Sequence, residues 1–252
     1  MLTCIVVPHY EHVDQFSLYL PSLVLEGFPL IVVDDASKPS SFDRLKRLLE
    51  EQAPDAMLVR HERNLGKGGA VISGLEAALE AGFSHAIQVD ADGQHDPRGL
   101  EALHKASCQY PDRFICGRPE FGEDISQFRY YFRFLTLYLT WVETLSTDIQ
   151  DALCGLRVYP LAAVLELVQR GGRRLRMDFD PEILVRAVWA GIALHYVPVR
   201  VRYPAGGLSH FQYVSDNLII SWMHTRLLAG MLLRAPVLLS RKVRRIIWGP
   251  ST

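Results

Sequence analysis

Four short apolar runs, each ending abruptly in a polar or glycine-rich loop, constrain this chain more than any other feature. They are Cys4-Ile5-Val6-Val7-Pro8, Leu30-Ile31-Val32-Val33, the weaker Ala56-Met57-Leu58-Val59-Arg60, and Ser84 to Val89. Runs this short and this rich in β-branched residues predict strands buried on both faces. Between the first two, Phe16, Leu20, Leu23 and Val24 recur at helical spacing over 15–26, and Gly27 ends that helix. A second helix is expected over about 42–52, with Ser40 or Ser41 as its cap. A third opens at the turn Arg63-Asn64-Leu65-Gly66-Lys67-Gly68-Gly69-Ala70 and runs to about residue 81. Strand, helix, strand at this spacing is a βαβ unit, so the expected class is α/β with a mostly parallel sheet flanked by helices.

In such a sheet, ligands bind at the carboxyl ends of the strands. Four loops emerge there: His9-Tyr10-Glu11-His12, Asp34-Asp35-Ala36-Ser37, the glycine turn, and Asp90-Ala91-Asp92-Gly93-Gln94. Asp90, Asp92 and the amide oxygen of Gln94 are hard oxygen donors of the kind that hold Mg²⁺ or Mn²⁺ against a phosphate. An acidic turn is the plain alternative, because Asp and Gly are common turn residues. Lys67 and the N–H groups at the helix start suit a phosphate. The spacing is not that of a P-loop, which excludes that ATPase class, and a glycine-rich helix entry with a solvated lysine is the other reading.

The second half is less regular. Ile115-Cys116-Gly117-Arg118 reads as a strand end, and the densely aromatic stretch 127–146, with Arg129 and Arg133 four apart, as a helix suited either to core packing or to a membrane interface. Asp151 is positioned to cap a helix over 152–169. Asp180 with Pro181 is expected to start another helix ending near Ala190. His195 to Tyr203 alternates like an edge strand.

Net charge is -1, yet no Asp or Glu follows Asp216, while Arg226, Arg234, Arg241, Lys242, Arg244 and Arg245 do. With Leu218, Ile219, Trp222, Met223, Leu227 and Met231, this tail reads as amphipathic helix suited to an anionic membrane surface, or to packing on the body. No uncharged run reaches the roughly 18 residues a spanning helix wants. The acidic body and the absence of a nucleic-acid-binding motif exclude nucleic acid as a partner. Four cysteines without C-x-x-C spacing, three of them in apolar or strand-like contexts, predict buried thiols rather than zinc ligands or disulfides. With no signal peptide ahead of Cys4, the expected location is cytoplasmic, peripheral on the inner face of the membrane. The expected organisation is one domain over 1–215 and a basic helical segment over 216–252.

Together, Val-Val-Pro-His-Tyr-Glu (6–11), Val-Val-Asp-Asp-Ala-Ser (32–37), Arg-Asn-Leu-Gly-Lys-Gly-Gly-Ala (63–70) and Val-Asp-Ala-Asp-Gly-Gln-His-Asp-Pro (89–97) resemble family 2 glycosyltransferases of the Rossmann-like GT-A fold. Within that family they are similar to the dolichyl- or polyprenyl-phosphate sugar transferases, over roughly residues 4–210. The resemblance implies a metal-dependent inverting enzyme that takes a UDP- or GDP-sugar donor and a lipid-linked acceptor, polyprenyl phosphate being one form. It implies that Pro8, Tyr10 and Glu11 border the base, that Asp34 or Asp35 accepts from the base or ribose, and that Lys67 lies near the nucleotide. Asp90, Ala91 and Asp92 would face the donor, with Asp90, Asp92 and Gln94 holding the metal and Arg118 meeting the diphosphate. Arg202 and His210 would belong to a segment closing over the donor. Asp151, ahead of Cys154-Gly155-Leu156-Arg157, would be the acceptor-facing catalytic carboxylate, with Asp180 and Glu182 as other candidates for the base. His9, His12 and Ala36 depart from the family pattern. A nucleotidyltransferase and a non-catalytic nucleotide-sugar-binding subunit at the membrane are the rival functions.

Overall fold

A computed structural model describes residues 1–121, 127–171, 176–201 and 213–248. The first half follows the expected alternation: β1 (Thr3–His9), α1 (Val13–Val24), β2 (Leu30–Asp34), α2 (Pro39–Gln52), β3 (Met57–Arg60), α3 (Lys67–Glu80) and β4 (His85–Gln88). Then come α4 (Gly99–Gln109), β5 (Phe114–Phe121), α5 (Gln127–Thr144), β6 (Arg157–Pro160), α6 (Leu161–Gly171), α7 (Phe179–Ala190), β7 (Leu194–Val201) and α8 (Tyr213–Trp248). The seven strands form one sheet in the order β3-β2-β1-β4-β6-β5-β7. Every pairing is parallel except the two made by β6, which runs antiparallel to β4 and to β5.

Strand pleating sorts the apolar runs into two cores. Cys4, Val6, Ile31 and Val33 point to one face and pack against α3, α6, α7 and α8, while Ile5, Val7, Leu30 and Val32 point to the other, against α1, α2 and α4. Burial on both faces is why these strands read as unbroken β-branched runs. Gly74 lets α3 lie directly on β1, since a Cβ there would stand 2.3 Å from Val6 Cγ1. Pro8, a residue that central strands tolerate poorly, falls beyond the last β1–β4 pair, Val6 with Gln88.

Three expectations are corrected. The stretch 152–169 is a loop, then β6, then α6, and Asp151 caps the turn before β6 by accepting from the N–H groups of Leu153 and Cys154. Gly155 and Pro160 are poor helix-interior residues, and Pro160 instead closes the strand. Neither Ser40 nor Ser41 caps α2: it starts at Pro39 after Lys38, and Glu11 reaches across from β1 to accept from the Lys38 N–H at 2.6 Å and the Ser41 hydroxyl at 2.8 Å. Asp178 rather than Asp180 is the N-cap residue of α7, placing Asp180 in its first turn. The tail is a single helix through Pro236, packed on α5 and α7. No helix among the described residues is long and apolar enough to cross a membrane.

Candidate active site

The carboxyl ends of β1, β2 and β4 stand side by side, with His9 paired to Asp34 and Val89 N–H donating to Val6 O. Tyr10 is exposed there, and Glu11 turns the chain at a φ of 57°. His9 fills a buried place beside Phe16 and meets Asp34 through Nδ1 at 3.4 Å. Burial opposes ionisation of Asp34, but hydrogen bonds from His9 and Ser37 outweigh it and hold the carboxyl below its ordinary range.

Asp35 has a different task. Its carboxylate accepts from Leu65 N–H at 2.8 Å and Gly66 N–H at 2.7 Å, and its Oδ1 lies 2.7 Å from His61 Nδ1. It thereby holds the glycine turn, where Gly66 adopts a φ of 84° and is the residue type that allows it. These two amides of the turn, just ahead of the helix start, are therefore committed to Asp35.

Lys67, the first residue of α3, lies between two carboxylates, 2.9 Å from Asp90 Oδ2 and 2.8 Å from Asp180 Oδ2. Burial disfavours its charge, but Asp180 and Asp90 more than compensate and push its pKa up, so the ammonium stays charged. The same lysine helps hold Asp90 ionised against its own burial. Asp90 Oδ1 is buried without a hydrogen-bond partner among the described residues. Asp92, capped by the Gln94 N–H at 3.0 Å, is pushed up to about 6, first by burial and then by the negative charge of Asp90. Ala91 is buried between them, and Gly93 makes the turn with a φ of 71°. Tyr19 Oη donates to His95 O at 2.8 Å, and Asp96 N–H to Arg200 O at 3.3 Å, tying the loop to α1 and β7.

A divalent cation suits this arrangement. One acid offers a buried oxygen without a hydrogen-bond partner among the described residues, and burial and the charge of Asp90 raise the pKa of its neighbour, a cost that a cation between them would relieve. No group of three or more His, Cys, Asp or Glu side chains gathers to hold a metal among the described residues. Two carboxylates and an amide would therefore need phosphate or water oxygens to complete the shell, which is the ordinary habit of Mg²⁺.

Behind Asp90 lies a polar core that the sequence does not announce. Arg157, fully buried at the start of β6, donates to Asp180 O at 2.6 Å and Ala152 O at 2.9 Å. Gln88 Nε2 donates to Asp180 Oδ1 at 3.2 Å, and Tyr159 Oη to Gln88 Oε1 at 3.0 Å. Gly155 passes so close that a Cβ would stand 2.4 Å from Asp90 Oδ2. The reversed direction of β6 brings the 151–155 loop to the same edge as the end of β4.

Asp151 is engaged on every side. Arg133 Nε reaches its Oδ2 at 2.5 Å and Nη2 its Oδ1 at 2.7 Å, besides the two N–H groups of its own turn. Arg133 thus faces inward from α5 and does not contribute to an outward basic face; helical spacing alone could not identify a partner on another element. Arg118 lies within β5, short of its end, exposed and 3.4 Å from Gln150 Oε1. The structure brings Asp34, Asp35, Lys67, Asp90, Asp92 and Gln94 to one edge, with Asp180 joined to them through Lys67. Arg202 and His210 lie outside the described residues.

Comparison with known proteins bears on the family and the fold. The profile of the family described as glycosyl transferase family 2 matches residues 4–163. A UDP-N-acetylglucosamine–dolichyl-phosphate N-acetylglucosaminyltransferase of Methanococcus voltae is 25% identical over 217 residues, covering 80% of this chain and 86% of that protein. A polyprenol monophosphomannose synthase of Mycolicibacterium smegmatis is 26% identical over 212 residues, covering 78% and 76%. Among solved structures, glucosyl-3-phosphoglycerate synthase of Mycobacterium tuberculosis, in complex with Mn²⁺, UDP and glucosyl-3-phosphoglycerate, superposes with a TM-score of 0.63 at 16% identity, over 92% of this chain and 78% of that one.

Proposed function

This chain belongs to glycosyl transferase family 2, and on that premise we propose that it moves a sugar from a UDP- or GDP-sugar to a lipid-linked acceptor, a polyprenyl phosphate. Family membership displaces the nucleotidyltransferase reading. The observation that carries the proposal is the split state of Asp90: one oxygen is fixed by Lys67, and the other is buried beside Asp92 without a hydrogen-bond partner among the described residues. Asp90, Asp92 and Gln94 would hold Mg²⁺ or Mn²⁺, which when bound stabilises the charge growing on the departing nucleoside diphosphate. The bound metal and UDP of the mycobacterial synthase, and the dolichyl phosphate and polyprenol monophosphomannose in the names of the sequence relatives, support this donor and acceptor class.

The reaction is read as a single displacement at the anomeric carbon. A phosphate acceptor arrives already ionised, so it needs orientation rather than a strong base. That accords with an Asp151 whose oxygens are taken by Arg133 and two backbone N–H groups: its role is to fix Arg133 and the 151–155 loop at the acceptor side. Pro8, Tyr10 and Glu11 line the base side, with Asp34 and Asp35 building that wall from beneath. Arg118, exposed on β5, is the cation offered to the diphosphate.

An acceptor of this kind calls for work at a membrane surface, and we take the inner face as the proposed location. Exposed Tyr131, Phe134, Leu135 and Tyr138 on α5, and exposed Leu218, Trp222, Leu232 and Leu233 on α8, support a peripheral contact. The test is release of UDP or GDP from a panel of nucleotide sugars with polyprenyl phosphate, in Mn²⁺ and in chelator. Wild type is expected to turn over only with metal and only with the phosphorylated lipid. Asp92→Ala is expected to lose about 10²–10³-fold, the usual cost of removing one preorganised electrostatic stabiliser. Metal-independent turnover, or none from any donor, would overturn the proposal.

A further inference from the structure

Asp180 enters the site from α7, in the far half of the chain, and both of its carboxylate oxygens are spoken for. Oδ2 lies 2.8 Å from Lys67 Nζ, while Oδ1 accepts from Gln88 Nε2 at 3.2 Å and lies 3.7 Å from Arg157 Nη1. Its own backbone oxygen is clamped by Arg157 at 2.6 Å. A base needs a lone pair directed at the incoming nucleophile, and this carboxylate directs its lone pairs at buried donors.

What Asp180 does control is the lysine. Lys67 shares its charge between two carboxylates and touches Asp90 through Oδ2 alone. Gly155 packs close against the same carboxylate, where a Cβ would stand 2.4 Å from Oδ2 and 3.0 Å from Oδ1. Asp90 Oδ1 is then the oxygen without a hydrogen-bond partner among the described residues. Resting on the metal-dependent reading above, we infer that Asp180 is a positioning residue for the metal site. By drawing Lys67 to one side, it keeps the lysine on one oxygen of Asp90 and leaves the other available to a divalent cation. Without the charge of Asp180, the ammonium pairs with Asp90 alone and competes for that carboxylate with the dication that must enter there.

Mn²⁺ binding in the presence of UDP or GDP, followed by the electron paramagnetic resonance of the free ion, tests this without any turnover. Asp180→Asn is expected to weaken Mn²⁺ binding by about 10–100-fold, as second-shell changes at metal sites do. Asp180→Glu, which keeps the charge, is expected to recover most of it. In a Lys67→Met background the same Asp180→Asn change is expected to matter by less than about twofold, the scatter of independent sites. That double variant also removes both members of a buried pair and serves if Asp180→Asn alone does not fold. Unchanged Mn²⁺ affinity in folded Asp180→Asn, or an equal loss with and without Lys67, overturns the inference while leaving the metal-dependent reading intact. Failure of wild type to bind Mn²⁺ with either nucleotide overturns both.

Discussion

Ala36 turns the chain after β2 at a φ of 58°, a conformation glycine adopts freely and alanine does not. It is also the position at which the 32–37 motif departs from its family pattern. The left-handed region costs an L-residue about 1–2 kcal/mol, and glycine returns about half of that in backbone entropy. Ala36→Gly is therefore expected to raise stability by up to about 1 kcal/mol in chemical denaturation, and a loss of stability would show that the methyl group packs usefully. Gly155 presents the reverse case. Gly155→Ala is expected to fold but to lose about 10–100-fold in metal-dependent donor turnover, because the added methyl displaces the Asp90 carboxylate; wild-type kinetics would refute that. Asp34 makes a prediction about pH. Its folded-state pKa lies below the ordinary value, so its contribution is full above about pH 4 and is lost as the pH falls through the folded value. Asp34→Asn should then be less stable than wild type at neutral pH, with a shallower loss in acid, and parallel acid limbs for the two proteins would contradict this.

At the scale of elements, what could be read from the sequence depended on whether a segment's surroundings are uniform. β1, β2 and β4 were legible because both faces are buried, and the glycine turn because Gly66 needs its φ. β6 was not: Leu156-Arg157-Val158-Tyr159 interrupts its apolar run with an arginine whose partners, Asp180 O and Ala152 O, no periodicity reports. The metal-side acids were visible as a motif, whereas the lysine's second partner was not, because α7 meets α3 only in the folded chain. α8 shows the same limit. Its amphipathic pattern was plain, but the pattern did not disclose that His224 Nδ1 lies 2.6 Å from Glu143 Oε1 in α5, in a buried pair. Burial pushes the Glu143 carboxyl up, and His224 partly offsets this. Removing one partner of such a pair costs about 3–5 kcal/mol, while replacing both by apolar groups is often neutral. His224→Leu is expected to destabilise by about that amount and Glu143→Leu/His224→Leu to recover most of it; a double variant as unstable as the single would show that the pair itself stabilises the helix contact.

For the molecule as a whole, the exposed apolar side chains of α5 and α8 and the cations Arg241, Lys242 and Arg244 would give the proposed membrane contact both an apolar and an electrostatic component. Each cation near an anionic surface contributes about 1 kcal/mol, so reversing these three to Glu is expected to abolish flotation with anionic liposomes while leaving the donor site unchanged. Flotation equal to wild type would remove the electrostatic part of the reading. The sheet has its own molecule-wide consequence. In the order β3-β2-β1-β4-β6-β5-β7, the four residues of β6 are, among the described residues, the only strand joining the β3-β2-β1-β4 half to the β5-β7 half. Until residue 160 has been synthesised, β4 carries an unpaired rim and β5 has no neighbour to bond. A nascent or truncated chain ending in α5 thus offers open edges for association with other chains. Inserting one short reversed strand both closes those edges and carries Gly155 to Asp90, so protection from aggregation and assembly of the catalytic edge arrive in the same step.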